Sequence, residues 1–249
     1  MKSEVIVVTA AYGREQIAAL GGQQAVIPTV SAAGADGVEI RRELFNEKEL
    51  ENLSGLGKTI AEAGLVAFYS IPEALFTEAG ELNPDLDRHL AEAGQLLAQR
   101  LKYSLGHYRP GFDSAGLREK LTGQPFQLVV ENDQTECGKL SALKHYFQDG
   151  GETGTSMTFD MGNWLWVGDD PIAAAECLTP YVSYIHVKAA RREGNGWHAV
   201  ALDEADNLWR QTLALLPAGV PRGIEFPLEG DDLVAVTRHY VELLREEKP

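Results

Sequence analysis

Short apolar runs alternate along the chain with longer stretches whose apolar residues recur at helical spacing. The runs at 5–9, 37–41, 65–70, 102–105, 127–131, 156–160, 183–187 and 222–226 predict eight strands. Helical patterns fall between them at 47–63, 85–101, 114–121, 139–148, 206–216 and 231–247. Asn83-Pro84 is a helix start, Gly64 and the pair Gly150-Gly151 are stops, and Asp170-Pro171 opens a further helix with Asp as cap and Pro at the first helical position. The Gly- and Ala-rich stretch 13–34 is expected to be helical in its second half, kinked or started by Pro28. Pro72 is expected to stop the third strand.

Strands alternating with helices indicate βαβ units and a parallel sheet. Eight such units in 249 residues predict an α/β fold, a single (β/α)8 TIM barrel forming one domain over 1–249. No G-x-G-x-x-G follows the first strand and no P-loop is present, which argues against an open nucleotide-binding sheet.

Four of the apolar runs end on a residue of metal-ligand type. These are Glu131 after Leu128-Val129-Val130, Asp160 after Met157-Thr158-Phe159, His186 after Tyr184-Ile185, and Glu225 after Gly223-Ile224. A buried carboxylate without a partner is costly. In a barrel of this kind the C-terminal strand ends form one mouth, so all four side chains can converge there. Two like charges ~4 Å apart cost ~4 kcal/mol at an effective dielectric near 20, so either the acids protonate or a cation sits between them. Three carboxylates and one imidazole suit one divalent ion, Mn, Mg or Co, with Zn also accommodated.

Composition narrows the partners. The formal net charge of -15 repels phosphate backbones and anionic membranes, so neither nucleic acid nor a membrane is expected as a partner. Two cysteines, Cys137 and Cys177, make no disulfide framework and read as reduced thiols, and no run has the length of a signal peptide core or a membrane span, so a cytoplasmic protein is expected. Whether it is a homo-oligomer stays open.

Lys188 shares the inward parity of His186 and is a candidate to bind a substrate oxygen, against a solvated lysine. Arg41 and Glu39 end the second strand and either contact substrate or pair with neighbours. Asn163 presents an amide just past Asp160. His107 follows the fourth strand and either contacts substrate or is a structural histidine, and Trp164 and Trp166 follow Asp160, where they either wall a sugar site or simply pack.

The phrases Val38-Glu39-Ile40-Arg41, Val130-Glu131-Asn132, Phe159-Asp160-Met161-Gly162-Asn163, Asp170-Pro171, Pro180-Tyr181-Val182, His186-Val187-Lys188 and Ile224-Glu225-Phe226 resemble the xylose isomerase-like barrels, the sugar phosphate isomerases/epimerases. The likeness runs through nearly the whole chain and is most specific from Glu131 to Asp232. In the ketose 3-epimerases and hydroxypyruvate isomerase of that superfamily, Glu, Asp, His and Glu of strands five to eight hold one divalent metal, and the two glutamates also move the proton. The resemblance therefore implies Glu131, Asp160, His186 and Glu225 as metal ligands and Glu131 and Glu225 as catalytic residues. It implies an isomerase or epimerase acting on a small sugar or hydroxy-ketone in carbohydrate metabolism.

The chain departs from the family at Asn163, where several relatives carry His, at Ala189, where they often carry Asp, and at Leu202-Asp203-Glu204-Ala205, where they often carry Gly-Glu-Gly. Acids Glu229, Asp231 and Asp232 occupy the loop where such barrels seat a phosphate, which favours a neutral substrate. Two other classes compete. One is a non-catalytic sugar- or metabolite-binding barrel. The other is an endonuclease IV-type repair enzyme, which the charge and a total of six histidines disfavour.

Overall fold

The computed structural model describes residues 3–149 and 153–247. Its strands are β1 (Val5–Val8), β2 (Gly37–Arg41), β3 (Val66–Phe76), β4 (Ala98–Gly106), β5 (Gln127–Glu131), β6 (Ser156–Asp160), β7 (Val182–Val187), β8 (Ala189–Glu193), β9 (Gly196–Val200) and β10 (Arg222–Ile224). All but β8 and β9 pair in parallel and close into a barrel in the order β1-β10-β7-β6-β5-β4-β3-β2, with helices between the strands. This is the expected (β/α)8 barrel.

Strands covered on both faces should be apolar throughout, and all of β1 is buried. The larger core lies between sheet and helices. A small separate one fills the barrel with Ile6, Phe68 and Tyr184, and the Arg100 guanidinium stacks 4.8 Å from the Phe68 ring. Above this floor the barrel's buried polar residues gather, among them Glu39, Lys102 and His186. Packing gives way there to a site.

Helix ends follow the sequence signals. The Asp170 carboxylate accepts from Ile172 N–H at 3.0 Å, with Pro171 next in line, and Asp232 caps the last helix, Leu233–Glu246. Buried Arg222 donates to the Leu244 and Glu247 carbonyls and so ties the C-terminal end of that helix under β10. Pro28 sits in the first turn of a helix over Ile27–Ala32, as expected.

Several expected boundaries moved. β3 runs on through Pro72, because the ladder to β4 is interrupted between Ser70 and Ala74 and an exposed proline there removes no pairing donor. The helix expected over 85–101 ends at Gln95, after which Leu97 turns left-handed at φ 55° and β4 starts at Ala98, four residues earlier than expected. The helix at 47–63 is two, broken at Asn52, whose side chain caps the second. Gly150-Gly151, the expected stop after 139–148, lies outside the described residues. The antiparallel β8–β9 hairpin was not expected at all. No helix among the described residues is long and apolar enough to cross a membrane.

Candidate metal centre and the cavity beside it

Glu131 ends β5, Asp160 ends β6, His186 lies one residue before the end of β7, and Glu225 follows β10. One ligand atom from each lies within 4.8 Å of all the others, so this buried carboxylate and histidine cluster could hold a metal.

The two oxygens of Asp160 face different ways. Oδ1 accepts the backbone N–H groups of Gly162 and Asn163 at 2.8 and 2.9 Å, and Oδ2 meets the Lys188 ammonium at 3.2 Å. Asn132 pairs with the Asp160 backbone in both directions, its amide donating to the carbonyl and its oxygen accepting from the N–H, each at 2.9 Å. Burial pushes the Asp160 carboxyl up to about 7; Lys188 opposes this, while Glu225 and Glu131 add to it.

Each glutamate also divides its oxygens. Glu131 Oε1 comes within 2.6 Å of His186 Nδ1, and its Oε2 accepts from the Lys102 ammonium. Glu225 Oε2 lies 3.1 Å from the same Nδ1 and 3.2 Å from Lys188 Nζ, and its Oε1 accepts from Arg41 at 2.8 Å. Burial would raise both carboxyls, but the surrounding cations outweigh it. Lys102 and His186 hold Glu131 down at about 2, and Lys188, His186 and Arg41 hold Glu225 well below its usual range.

Below them lies Glu39, fully buried on β2. Its Oε2 accepts from Tyr184 OH at 2.8 Å and from His186 Nε2 at 2.7 Å, and its Oε1 lies 3.9 Å from both Lys102 and Arg41. With its Nε2 proton given to Glu39, His186 presents Nδ1 to the two glutamates.

A divalent ion fits this arrangement on three counts. His186 Nδ1 and Glu131 Oε1 are both buried and face each other at 2.6 Å, with no other group satisfying either atom except Glu225 Oε2, 3.1 Å from Nδ1. Burial would lower His186, but the carboxylates Glu39, Glu225 and Glu131 crowded around it raise it well above the usual imidazole range, so the cluster favours positive charge at the place a divalent ion would take. The set of one imidazole and three carboxylates is that of a hard or borderline divalent ion.

A cavity of about 330 Å³ opens beside the cluster and is lined by Tyr12, Arg41, Lys188, Glu225, Phe226 and Glu229, among others. Of the four cluster residues only Glu225 lines it. Lys188 and Arg41 are therefore placed where substrate oxygens could reach them. Asn163 lies against the cluster, but its amide is engaged: it donates to the Asn132 carbonyl at 2.8 Å and accepts from Gln134 at 3.0 Å and from Lys188 at 3.2 Å.

Three expected substrate contacts lie elsewhere. Glu39 is buried beneath the cluster, out of the cavity. Trp164 is fully buried against Phe159 at 5.3 Å, because its ring completes the sheet–helix core. His107 is exposed just past β4, away from the cavity lining. Trp166 instead places its ring 5.9 Å from Lys188 Nζ. Sequence reading missed Lys102 and Gln23. The latter is buried, holds the Arg41 N–H and carbonyl at 2.8 and 2.9 Å, and accepts from Thr9, so it pins the end of β2.

No protein-family model matches the chain, and no curated protein matches it. Solved structures do. A xylose isomerase-like TIM barrel/4-hydroxyphenylpyruvate dioxygenase fusion protein is 14% identical with TM-score 0.70, over 96% of this chain and 41% of the fusion, so the chain spans less than half of that protein. D-allulose 3-epimerase from Methylomonas sp. is 11% identical with TM-score 0.70, over 99% and 98% of the two chains. The probable 3-DHS dehydratase AsbF from Bacillus anthracis is 12% identical with TM-score 0.69, over 98% and 100%.

Proposed function

Starting from the xylose isomerase-like barrel fold that the chain shares with these structures, we propose that it is a divalent-metal-dependent isomerase or epimerase of a small sugar or hydroxy-ketone. The reaction is a proton transfer at a carbon next to a carbonyl. The observation that carries this reading is the convergence of Glu131, Asp160, His186 and Glu225 within 4.8 Å beside a cavity of sugar size. Sugar 3-epimerases on the same fold agree with it.

In this reading those four residues hold the ion, which when bound supplies Lewis acidity toward a substrate carbonyl and its neighbouring hydroxyl. Glu225, at the cavity wall, exchanges a proton with the substrate carbon, and Glu131, across the cluster, serves the opposite face. Arg41 and Lys188 orient substrate oxygens from the same wall. The floor of buried side chains keeps water from below.

The test is a metal-supplemented screen of small aldoses and ketoses, with turnover in D2O. Product should carry deuterium at the reacting carbon. Glu131→Gln and Glu225→Gln should each lower kcat by about 10²–10⁴-fold, with bound metal measured in both variants. A fully active Gln variant removes that glutamate from the mechanism, and turnover without deuterium points to a hydride shift.

A second reading, a metabolite-binding barrel without turnover, draws on the cations that occupy the outer oxygens of both glutamates. Ligand-induced stabilisation with no product in the screen would favour it.

A further inference from the structure

We propose that Glu39 and Lys102 form a buried positioning pair under the candidate metal centre, Glu39 fixing the ring of His186 so that Nδ1 faces the centre and Lys102 fixing the second oxygen of Glu131. The proposal rests on the metal reading only for its effect on ion affinity.

The geometry is specific. Glu39 is fully buried and Lys102 is 4% exposed, and neither lines the cavity, so neither is placed to touch a substrate. Glu39 Oε2 takes hydrogen bonds from His186 Nε2 at 2.7 Å and from Tyr184 OH at 2.8 Å. A histidine whose Nε2 proton is held in this way can offer only Nδ1 as a ligand. Lys102 Nζ spans the gap between Glu131 Oε2, to which it donates, and Glu39 Oε1 at 3.9 Å. One ammonium thus joins the carboxylate that orients the imidazole to a carboxylate of the cluster.

The backbone is cut to fit. Glu39 on β2 and His186 on β7 are separated by β1 and β10, and the β10 residue paired with His186 is Gly223. A Cβ on Gly223 would lie 2.3 Å from Tyr184 Oη and 2.9 Å from His186 Cδ2. Glycine there leaves room for the two rings that reach Glu39. The β2 end that carries Glu39 is held in turn, since Thr9 Oγ1 lies 3.1 Å from the Glu39 carbonyl and Gln23, which takes the Thr9 proton, brackets Arg41.

Removing one partner alone leaves a buried charge less compensated, so the test uses Glu39→Gln and the charge-balanced Glu39→Gln/Lys102→Met. Two readouts are taken on protein labelled with 15N at histidine: the His186 Nε2–H signal in the metal-free state, and the Kd for Mn, Mg, Co or Zn by calorimetry. Wild type should show an Nε2 proton protected from exchange and shifted downfield, and that shift should collapse in both variants. Ion affinity should fall about 10–100-fold in both, the usual effect of losing a partner of a ligand histidine. Should Glu39→Gln fail to fold, the double variant supplies the affinity. A His186 bearing its proton on Nδ1 alone in the metal-free wild type overturns the proposal, as does an unchanged ion Kd in the folded variants. If wild type binds no divalent ion, the metal reading falls while the Nε2 proton, present or absent, still decides the pair.

Discussion

Gly223 shows how tightly single residues are fixed in this barrel. Its missing Cβ is the space that Tyr184 and His186 occupy. Gly223→Ala must therefore shift two fully buried rings and disturb the Glu39 hydrogen bonds. It should destabilise the protein by about 1–3 kcal/mol, the range for overpacking a close-packed interior, with an unchanged denaturant m-value in urea. A variant as stable as wild type would mean that the rings do not sit where the structure puts them.

Lys102 shows what could not be read at this scale. Seen as the first residue of a strand, it looks like a solvated flank. Because β4 begins at Ala98, Lys102 is mid-strand and buried, and its partners Glu39 and Glu131 are remote in sequence. The convergence of Glu131, Asp160, His186 and Glu225, in contrast, could be foreseen because each stands at the end of an apolar run, and the barrel brings such ends together.

Among the elements, the helix Leu86–Gln95 is held to the sheet by a polar clamp. Its Glu92 receives Arg42 through Nε at 2.8 Å and NH2 at 3.1 Å, and Tyr69 OH at 2.6 Å. Burial would raise this carboxyl, but Arg42 and Tyr69 outweigh it and lower it. A lowered acid adds stability that is complete above its unfolded value, about 4.3, and is lost as the pH falls toward the folded value. Glu92→Gln should cost about 1.5–3 kcal/mol at pH 7, the range for hydrogen bonds to a charged group, and the difference from wild type should shrink below about pH 4. A stability difference that stays flat down to pH 3 would contradict the clamp.

The order of the strands followed from their apolar runs, but two elements did not. The β8–β9 hairpin turns on Gly194-Asn195, with Gly194 at φ 59° and Glu193 paired to Gly196. Gly-Asn between strand-like residues is a hairpin signal, present in the sequence but weak beside the flanking charges. The course of β3 past Pro72 depends on its neighbour, since only the interrupted ladder to β4 makes the proline harmless.

For the molecule as a whole, the acidic excess of the sequence and the cations around the cluster belong to one picture. The chain carries a formal charge of -15, yet Arg41, Lys102 and Lys188 are gathered around the carboxylates of one cluster. Against burial and Lys102, the carboxylates hold His186 well above the usual imidazole range, so positive charge is favoured at the centre of the cluster, where a cation would sit. In the proposed reading that ion binds the folded state alone, so it must add to stability by mass action.

The most direct measurement is thermal unfolding of chelator-treated protein with and without Mn, Mg, Co or Zn. At about a hundredfold excess over Kd, binding adds about 2.7 kcal/mol. For a chain of this size that is a rise of about 5–11 °C in Tm. At least one of the ions should give this rise in wild type and none should in Asp160→Ala; a wild-type melting curve that none of the four ions moves would contradict the metal site.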